Sequence, residues 1–225
     1  MREWLLSLLM IGGTVALYRA LQWLQRRMGW MLLNPLLWSV IFWMAALKLT
    51  GTPFSLYNRA GQVVTALLAP ATASLALSIY DRRQLLRQNA LPILAGCLAG
   101  AVTSMGSVYL LCRLLGLDDI VTRSLLPKSV TTPIASAISE SLGGEVPLTV
   151  AVVVFTGVIG ALLAPAMARL FRVRDLIENG VAIGACSHIV GTSRALEMGE
   201  TEGAMSALAI GIVGLMTVLL SLFLG

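Results

Sequence analysis

The sequence predicts an all-α integral membrane protein of about seven transmembrane helices, two of them broken or re-entrant. Of its 225 residues, 57% are hydrophobic and only 12% are charged, a balance far more apolar than that of soluble domains. The apolar stretches also approach the roughly 20 residues that a spanning helix needs, about twice the length of a membrane β-strand. The charge-free stretches are 4–18, 28–47, 60–80, 88–112, 146–168 and 203–225.

The first apolar stretch resembles a secretory signal peptide only superficially. Arg2 and Glu3 form a poor basic region, and no small-x-small cleavage pattern follows. The stretch therefore predicts a retained N-terminal helix within residues 1–27, which ends near Gln25 at a membrane face. Tyr18 and Trp23 are interfacial aromatic residues typical of such a helix end.

The net charge of +5 reflects membrane topology and not an affinity for nucleic acid. The arginines lie in short linkers between apolar stretches, as the positive-inside rule requires of cytoplasmic loops. Because Asp118 and Asp119 fall on the opposite side in the same count, the N-terminus is predicted to lie outside. The basic linkers contain Arg26 and Arg27, then Arg82, Arg83 and Arg87, then Arg169, Arg172 and Arg174.

Two polar segments, 124–145 and 176–199, interrupt the apolar stretches, and the sequence predicts the function there. Polar groups are found at membrane depth mainly where they line a cavity or contact other protein. The topology count is consistent only if each segment returns to the side of the membrane that it left. We therefore expect two hairpins or broken helices that enter from opposite faces, the first of them around Lys128 to Pro133.

An internal repeat is visible in the apolar stretches. The sequence LLAPA at 67–71 recurs at 162–166, and a basic linker follows both copies. Duplicated halves with interrupted helices indicate a transporter whose site lies at the repeat interface. The single transmembrane domain, 1–225, is therefore predicted to contain an inverted repeat of 28–119 and 120–225. Chance recurrence in a chain rich in alanine and leucine is the alternative.

The sequence offers no chemistry typical of an enzyme. It has one histidine, and the spacing of Cys97, Cys112 and Cys186 suits neither a disulfide nor a metal site. Motifs of zinc proteases, P-loop proteins and serine hydrolases are missing. We therefore expect a protein that is not an enzyme and has no cofactor or metal.

The first polar segment has the features of an anion site. Thr132 is a suitable N-cap and Pro133 a suitable first residue for a helix that begins inside the membrane. The unpaired amides and the positive dipole end of such a helix attract a carboxylate. Lys128, Ser129 and Thr131 add a charge and hydroxyl donors. The alternative is a solvated loop in which Lys128 reaches lipid headgroups.

The second polar segment places Ser187, His188 and Thr192 in a donor-rich turn between small residues. An intramembrane histidine either contacts a substrate or a proton, or it is a neutral side chain that hydrogen-bonds between helices. The neighbouring hydroxyl groups favour a functional role. Two glycine pairs, Gly96/Gly100 and Gly180/Gly184, suit close helix packing within one chain as well as between chains.

The stretch LLPKSVTTPIASAIS, followed by GVIGALLAPA and GACSHIVGTSRALEMGETEGAMS, resembles the LrgB/CidB family of bacterial inner-membrane proteins. The resemblance runs from about Asn34 to the C-terminus, and the family's conserved blocks fall on 34–35, 128–133 and 187–192. It implies a multi-pass protein that modulates murein hydrolase activity and autolysis. It equally implies a carrier, since a plastid relative carries glycolate and glycerate and some bacterial relatives are linked to pyruvate uptake. Arg194 stands where many relatives have lysine, which alters the hydrogen-bond geometry of the charge.

The residues and the resemblance together predict a secondary transporter of small monocarboxylates, pyruvate-like or glycolate-like, that works by alternating access. The alternative is a holin-like or antiholin-like modulator of murein hydrolase export and autolysis. The expected partners are the carboxylate, membrane lipid, a second copy of the chain in a homodimer and a small LrgA/CidA-type membrane protein. The predicted substrate-binding residues are Asn34, Lys128, Ser129, Thr131, Thr132, Ser187, His188 and Thr192, with His188 or Glu140 as candidates for proton coupling.

Overall fold

A computed structural model of the chain describes residues 2–28, 35–67, 70, 73, 80–81 and 83–224. Within these residues the chain forms α-helices joined by short turns and contains no strand. It divides into two compact units, the N-terminal unit Met1–Ala71 and the C-terminal unit Thr72–Gly225. The all-helical class predicted from the sequence is thereby confirmed for the described residues.

The N-terminal unit contains three helices: α1 (Arg2–Met28), α2 (Pro35–Thr50) and α3 (Phe54–Thr65). The first helix ends at Met28 and not near Gln25, so Arg26 and Arg27 form its last turn. Basic side chains favour this position because the carbonyl end of a helix carries the negative end of its dipole. Proline begins α2, where its missing amide hydrogen costs no hydrogen bond.

The C-terminal unit is larger and contains seven of the described helices. Three of the described helices are long and apolar enough to cross a membrane, namely α5 (Ala90–Leu114), α8 (Val146–Leu170) and α10 (Glu200–Ser221). In the N-terminal unit, Leu37–Thr50 is a shorter apolar helix. The helices of the C-terminal unit are α4 (Arg83–Gln88), α5 (Ala90–Leu114), α6 (Asp119–Leu125), α7 (Thr132–Ser141), α8 (Val146–Leu170), α9 (Leu176–Met198) and α10 (Glu200–Ser221).

These apolar helices and the composition make the chain a membrane protein. The count of about seven spans and the inverted repeat stay predictions, since most of the first LLAPA copy lies outside the described residues. Several large apolar side chains of α5 and α8, such as Leu98 and Phe155, are exposed. Exposed apolar surface of this kind is typical of a membrane-facing helix.

The core of the C-terminal unit is built around α10. Met205, Leu208 and Ala209 of this helix are fully buried and pack with Cys97 of α5 and Val181 of α9 in one cluster. Val130 and Ala135 of the first polar segment belong to the same cluster, so residues of both polar segments share one core with α5 and α10.

A buried group of hydroxyls joins α6, α7 and α8. Thr149 Oγ1 lies 2.8 Å from Ser124 O and 2.7 Å from Ser139 Oγ, and Glu145 N donates to Ser124 Oγ at 2.7 Å. All three hydroxyl side chains are completely buried. Because each of them has a partner, the desolvation cost of burying these groups is offset. The group therefore serves the fold, and sequence reasoning did not identify it.

Candidate functional site

The first polar segment folds into a short helical hairpin formed by α6, a turn and α7. Arg123 Nη1 in α6 donates to Leu142 O at the end of α7, with 3.0 Å between the atoms. Ser124 and Ser139 approach each other through Thr149. Residues so far apart in sequence face each other only if the chain reverses between them. The first tip, residues 128–132, is the point of reversal, within the range where the sequence predicts a hairpin.

The helix that leaves the first tip begins one residue earlier than predicted. Thr131, with φ −65° and ψ 149°, is the N-cap, so Thr132 is the first helical residue and Pro133 the second. The predicted Thr132 cap with Pro133 as first residue is therefore wrong by one position. Proline is acceptable as either the first or the second helical residue, because the amide hydrogen that it lacks would have no partner inside the helix at either position.

The Thr131 side chain does not cap its own helix. Its Oγ1 atom accepts no hydrogen bond from the first-turn amides and has no partner among the described residues, although Thr131 is only 2% exposed. An unpaired buried hydroxyl costs about 1–3 kcal/mol, so such a group indicates a missing partner. The hydroxyl and the free amides of the α7 N-terminus are together suited to an anionic acceptor.

Two further predicted residues lie at the first tip. Lys128 is half-buried, and its Nζ donates to Ser129 Oγ at 3.3 Å. Ser129 is buried and lies 2.8 Å, oxygen to oxygen, from Ser104 of α5. The contact with α5 fixes the first tip against a long helix and directs the lysine charge to the same end of the hairpin as Thr131.

The second polar segment is a helix that breaks at His188. Asp175 caps its start, since Oδ1 accepts from Ile177 N at 2.7 Å and from Glu178 N at 3.0 Å. At His188 the backbone has φ 41° and ψ −139°, far from helical values. The residue therefore separates two shorter helices, 176–187 and 189–198.

The two halves of α9 fold back on each other. A Cβ atom added to Gly191 would lie 3.1 Å from Ile183 Cγ2 and 3.3 Å from Ile183 O, whereas a straight helix would separate these residues by about 12 Å. Gly184 before the break and Thr192 after it both contact Ser206 of α10. The chain therefore reverses at the second tip, residues 186–189, as the topology count from the sequence requires.

His188 is held inside the second tip by α8. Its Nε2 lies 2.9 Å from Val153 O, and because a carbonyl only accepts, Nε2 carries the hydrogen and Nδ1 of the neutral ring is left as an acceptor. The ring packs on Gly157, where an added Cβ would lie 2.5 Å from Cε1. Ser187 packs in the same way on Gly160, whose added Cβ would overlap the serine hydroxyl.

The Thr192 hydroxyl forms hydrogen bonds with other residues of the protein. Its hydroxyl donates to His188 O at 3.0 Å and therefore accepts from Ser206 Oγ, 2.7 Å away. Both of its hydrogen-bonding roles are thus taken by α9 and α10. Thr192 therefore stabilises the second tip and joins it to α10.

The two tips converge on one face of α5. Ser129 of the first tip contacts Ser104. Ala185, the residue before the second tip, contacts Gly100, since a Cβ added to Gly100 would lie 3.2 Å from Ala185 Cβ. Gly100 and Ser104 lie about one helical turn apart. The structure therefore brings Lys128, Ser129 and Thr131 together with the residues around His188.

The remaining predicted site residues are placed differently. Asn34 lies outside the described residues. Thr132 is half-buried in the first turn of α7. Glu140 is exposed near the far end of that helix, about 12 Å along its axis from Thr132. Arg194 forms an ion pair with Glu197, 2.6 Å from nitrogen to oxygen.

The structure adds residues that the sequence alone did not single out. Ser104, Gly157 and Gly160 hold the tips, and Cys186 is exposed at the second tip while Cys97 and Cys112 are buried. The spacing Gly157-x-x-Gly160 on an apolar helix was a signal for a close contact. The pairs Gly96/Gly100 and Gly180/Gly184 pack against α9 and α10 of the same chain. Among the described residues no group of three or more acidic, histidine or cysteine side chains is placed to bind a metal.

Comparison with known proteins gives a consistent assignment. The LrgB-like family model matches residues 14–224. Antiholin-like protein LrgB of Bacillus subtilis (strain 168) is 36% identical over 191 residues, covering 85% of this chain and 83% of that protein. The protein of the same name from Bacillus mycoides (strain KBAB4) is 35% identical, covering 84% and 83%. Uncharacterized protein YxaC of Bacillus subtilis (strain 168) is 34% identical, covering 93% and 91%.

No solved structure matches the chain. The family model covers far more than half of the sequence, and both polar segments lie inside the matched range. The resemblance carried by those segments is therefore confirmed, and the chain belongs to the LrgB-like family.

Proposed function

We propose that this protein is an antiholin-like modulator of murein hydrolase export and autolysis in the bacterial inner membrane. The observation that carries the proposal is that two relatives with about 35% identity over most of this chain are named antiholin-like protein LrgB. These names favour the antiholin-like function over the transporter function. A shared fold does not fix a function, so the proposal requires a direct test.

The test is the rate of autolysis in a bacterium whose own LrgB-family gene has been deleted. Expression of this chain is expected to slow lysis after the proton-motive force is collapsed, compared with the empty vector. Lys128→Ala should act like the wild type, because modulation by assembly does not need the charge at the first tip. Equal lysis with the wild-type chain and with the vector, at matched membrane levels, would overturn the proposal.

A second function, transport of small monocarboxylates by alternating access, is supported by a specific structural observation. Thr131 Oγ1 is buried without a partner at the N-terminus of α7, and Lys128 lies on the same tip. A carboxylate there would accept hydrogen bonds from the hydroxyl and from the free amides, and the lysine would balance its charge. Such charge-assisted hydrogen bonds are roughly twice as strong as neutral ones.

The carrier proposal assigns a role to each tip. Lys128, Ser129 and Thr131 would bind the carboxylate, with Thr132 supplying an amide, and Ser187 and His188 would line the opposing tip. In this proposal the carrier has about seven spans and an inverted repeat, and it forms a homodimer. Its further partner is a small LrgA/CidA-type membrane protein, and Asn34 supports the binding site. Proton coupling through His188 or Glu140 would make uptake depend on the pH gradient.

The carrier proposal predicts saturable uptake of labelled pyruvate, glycolate or lactate by proteoliposomes. Lys128→Ala and Ser187→Ala should each reduce uptake at least about tenfold, as the loss of a charged or buried polar contact implies. Lys48→Ala and Ser193→Ala are matched controls, because both residues are exposed, and they should keep wild-type uptake. Leakage of larger dyes at the same rate in the wild type and in all four variants would contradict the carrier proposal.

A further inference from the structure

The N-terminal unit contains an apolar cleft that follows one face of α1. A cavity of about 440 Å³ lies between α1, α2 and α3, and a neighbouring one of about 340 Å³ lies between α1 and α3. Both are lined by Thr14, Val15 and Tyr57, so they adjoin. From Arg19, which lines the first cavity, to Met10, which lines the second, the cleft extends about 14 Å along the helix.

The polar groups of the cleft are unevenly distributed. Arg19 lies at one end. Trp43 lies nearer the middle, since its ring centre is 5.0 Å from that of Tyr57, and its indole Nε1 is buried with no hydrogen-bond partner among the described residues. Thr14 and Tyr57, at the middle, are 3.2 Å apart, oxygen to oxygen. The far end, around Met10 and Val64, is apolar. The cleft therefore has one end for a charged acceptor and one end for a hydrocarbon chain.

The Arg19 end is also the end that carries interfacial residues. Tyr18 lines the same cavity, and Arg27 lies 5.2 Å from the ring centre of Trp23 one turn further on. Aromatic and arginine side chains collect at the level of lipid headgroups. An arginine at that level is suited to a phosphate because its guanidinium binds phosphate oxygens in a fork.

We infer that this cleft binds one phospholipid molecule. Its phosphate lies at Arg19, an ester carbonyl of the glycerol accepts the hydrogen bond of Trp43 Nε1, and one acyl chain follows α1 past Thr14 toward Met10. The occupant supplies what the protein lacks, since a buried indole donor without an acceptor is costly. The residues that line the cleft all belong to the N-terminal unit, and the site does not depend on the proposed function.

Two glycines provide a matched pair of variants. Gly61 lines the narrower cavity, and Gly12 lines neither; an added Cβ at either position meets no atom within 4 Å. Both glycines lie inside helices, where a larger side chain is tolerated and improves helix propensity. Gly61→Leu therefore fills the path of the acyl chain without a clash, and Gly12→Leu adds the same side chain away from it.

The test is native mass spectrometry of the full chain, stripped with detergent and then incubated with phosphatidylglycerol, diacylglycerol or oleate. Wild type and Gly12→Leu are expected to retain one phosphatidylglycerol, and Gly61→Leu about tenfold less. Arg19→Gln should remove the preference for phosphatidylglycerol over diacylglycerol, because only the former carries the phosphate. Equal retention by the two leucine variants, no adduct on the wild type, or equal binding of oleate and phosphatidylglycerol would overturn the inference.

Discussion

Replacing His188 by alanine is expected to lower the free energy of unfolding by about 3 kcal/mol. The substitution removes the hydrogen bond to Val153 O. It also leaves a cavity next to Gly157, because glycine has no side chain that could fill the space of the lost ring. The residue also keeps φ near 41°, a conformation that an alanine side chain adopts only with strain. Unfolding in mixed detergent micelles, followed by circular dichroism, measures the change.

The matched variant His188→Gly shows whether the backbone reversal at the second tip is real. It loses the same ring contacts but accepts the positive φ, so it is expected to be about 1 kcal/mol more stable than His188→Ala. In a continuous helix the order is reversed, since alanine favours a helix over glycine by about 1 kcal/mol. An alanine variant as stable as the glycine variant would therefore refute the hairpin.

Gly184→Val is expected to destabilise the protein by about 3 kcal/mol. The added Cβ would lie 2.9 Å from Ser206 Cα and closer still to Ser206 O. These are backbone atoms of α10, which cannot rotate away as a side chain can. The first half of α9 must then separate from the most buried helix of the core, and the same unfolding assay reports the loss.

Gly106→Val is the control for this substitution. Gly106 lies inside α5, and an added Cβ there meets nothing within 4 Å, so valine changes only the local helix propensity. Its stability should stay within about 1 kcal/mol of the wild type. Similar losses in both variants would mean that α9 and α10 are not in backbone contact at Gly184.

The N-cap of α7 shows what local sequence rules can and cannot predict. A threonine pair followed by proline marks a helix start, but both threonines satisfy the rule equally well. Thr131 is the cap because the rest of α7 is fixed by its packing on α8 and α10, which sets where the first helical turn begins. Sequence reasoning thus located the feature and missed its register by one residue.

The residues that support the tips were harder to predict. Ser104 and Gly160 are small residues in long apolar helices, and of the two only Gly160 has a neighbour in sequence, Gly157, that hints at a close contact. Each matters because of what lies opposite in space, Ser129 in one case and Ser187 in the other. The identity of the residue on the opposite side of such a contact cannot be deduced from either segment alone.

The sequence by itself determined that this is a helical membrane protein with two polar segments that must turn back. Composition and the length of apolar stretches decide the first point, because a bilayer requires spans of fixed length. Charge placement decides the second, because arginine-rich linkers prefer one side. Only the tertiary structure decided that both tips meet on one face of α5. It also decided that the Thr131 hydroxyl has no hydrogen-bond partner among the described residues, whereas the Thr192 hydroxyl has two. The physical reason is that hydrogen bonds and close packing between helices depend on distances that the chain acquires only when it folds.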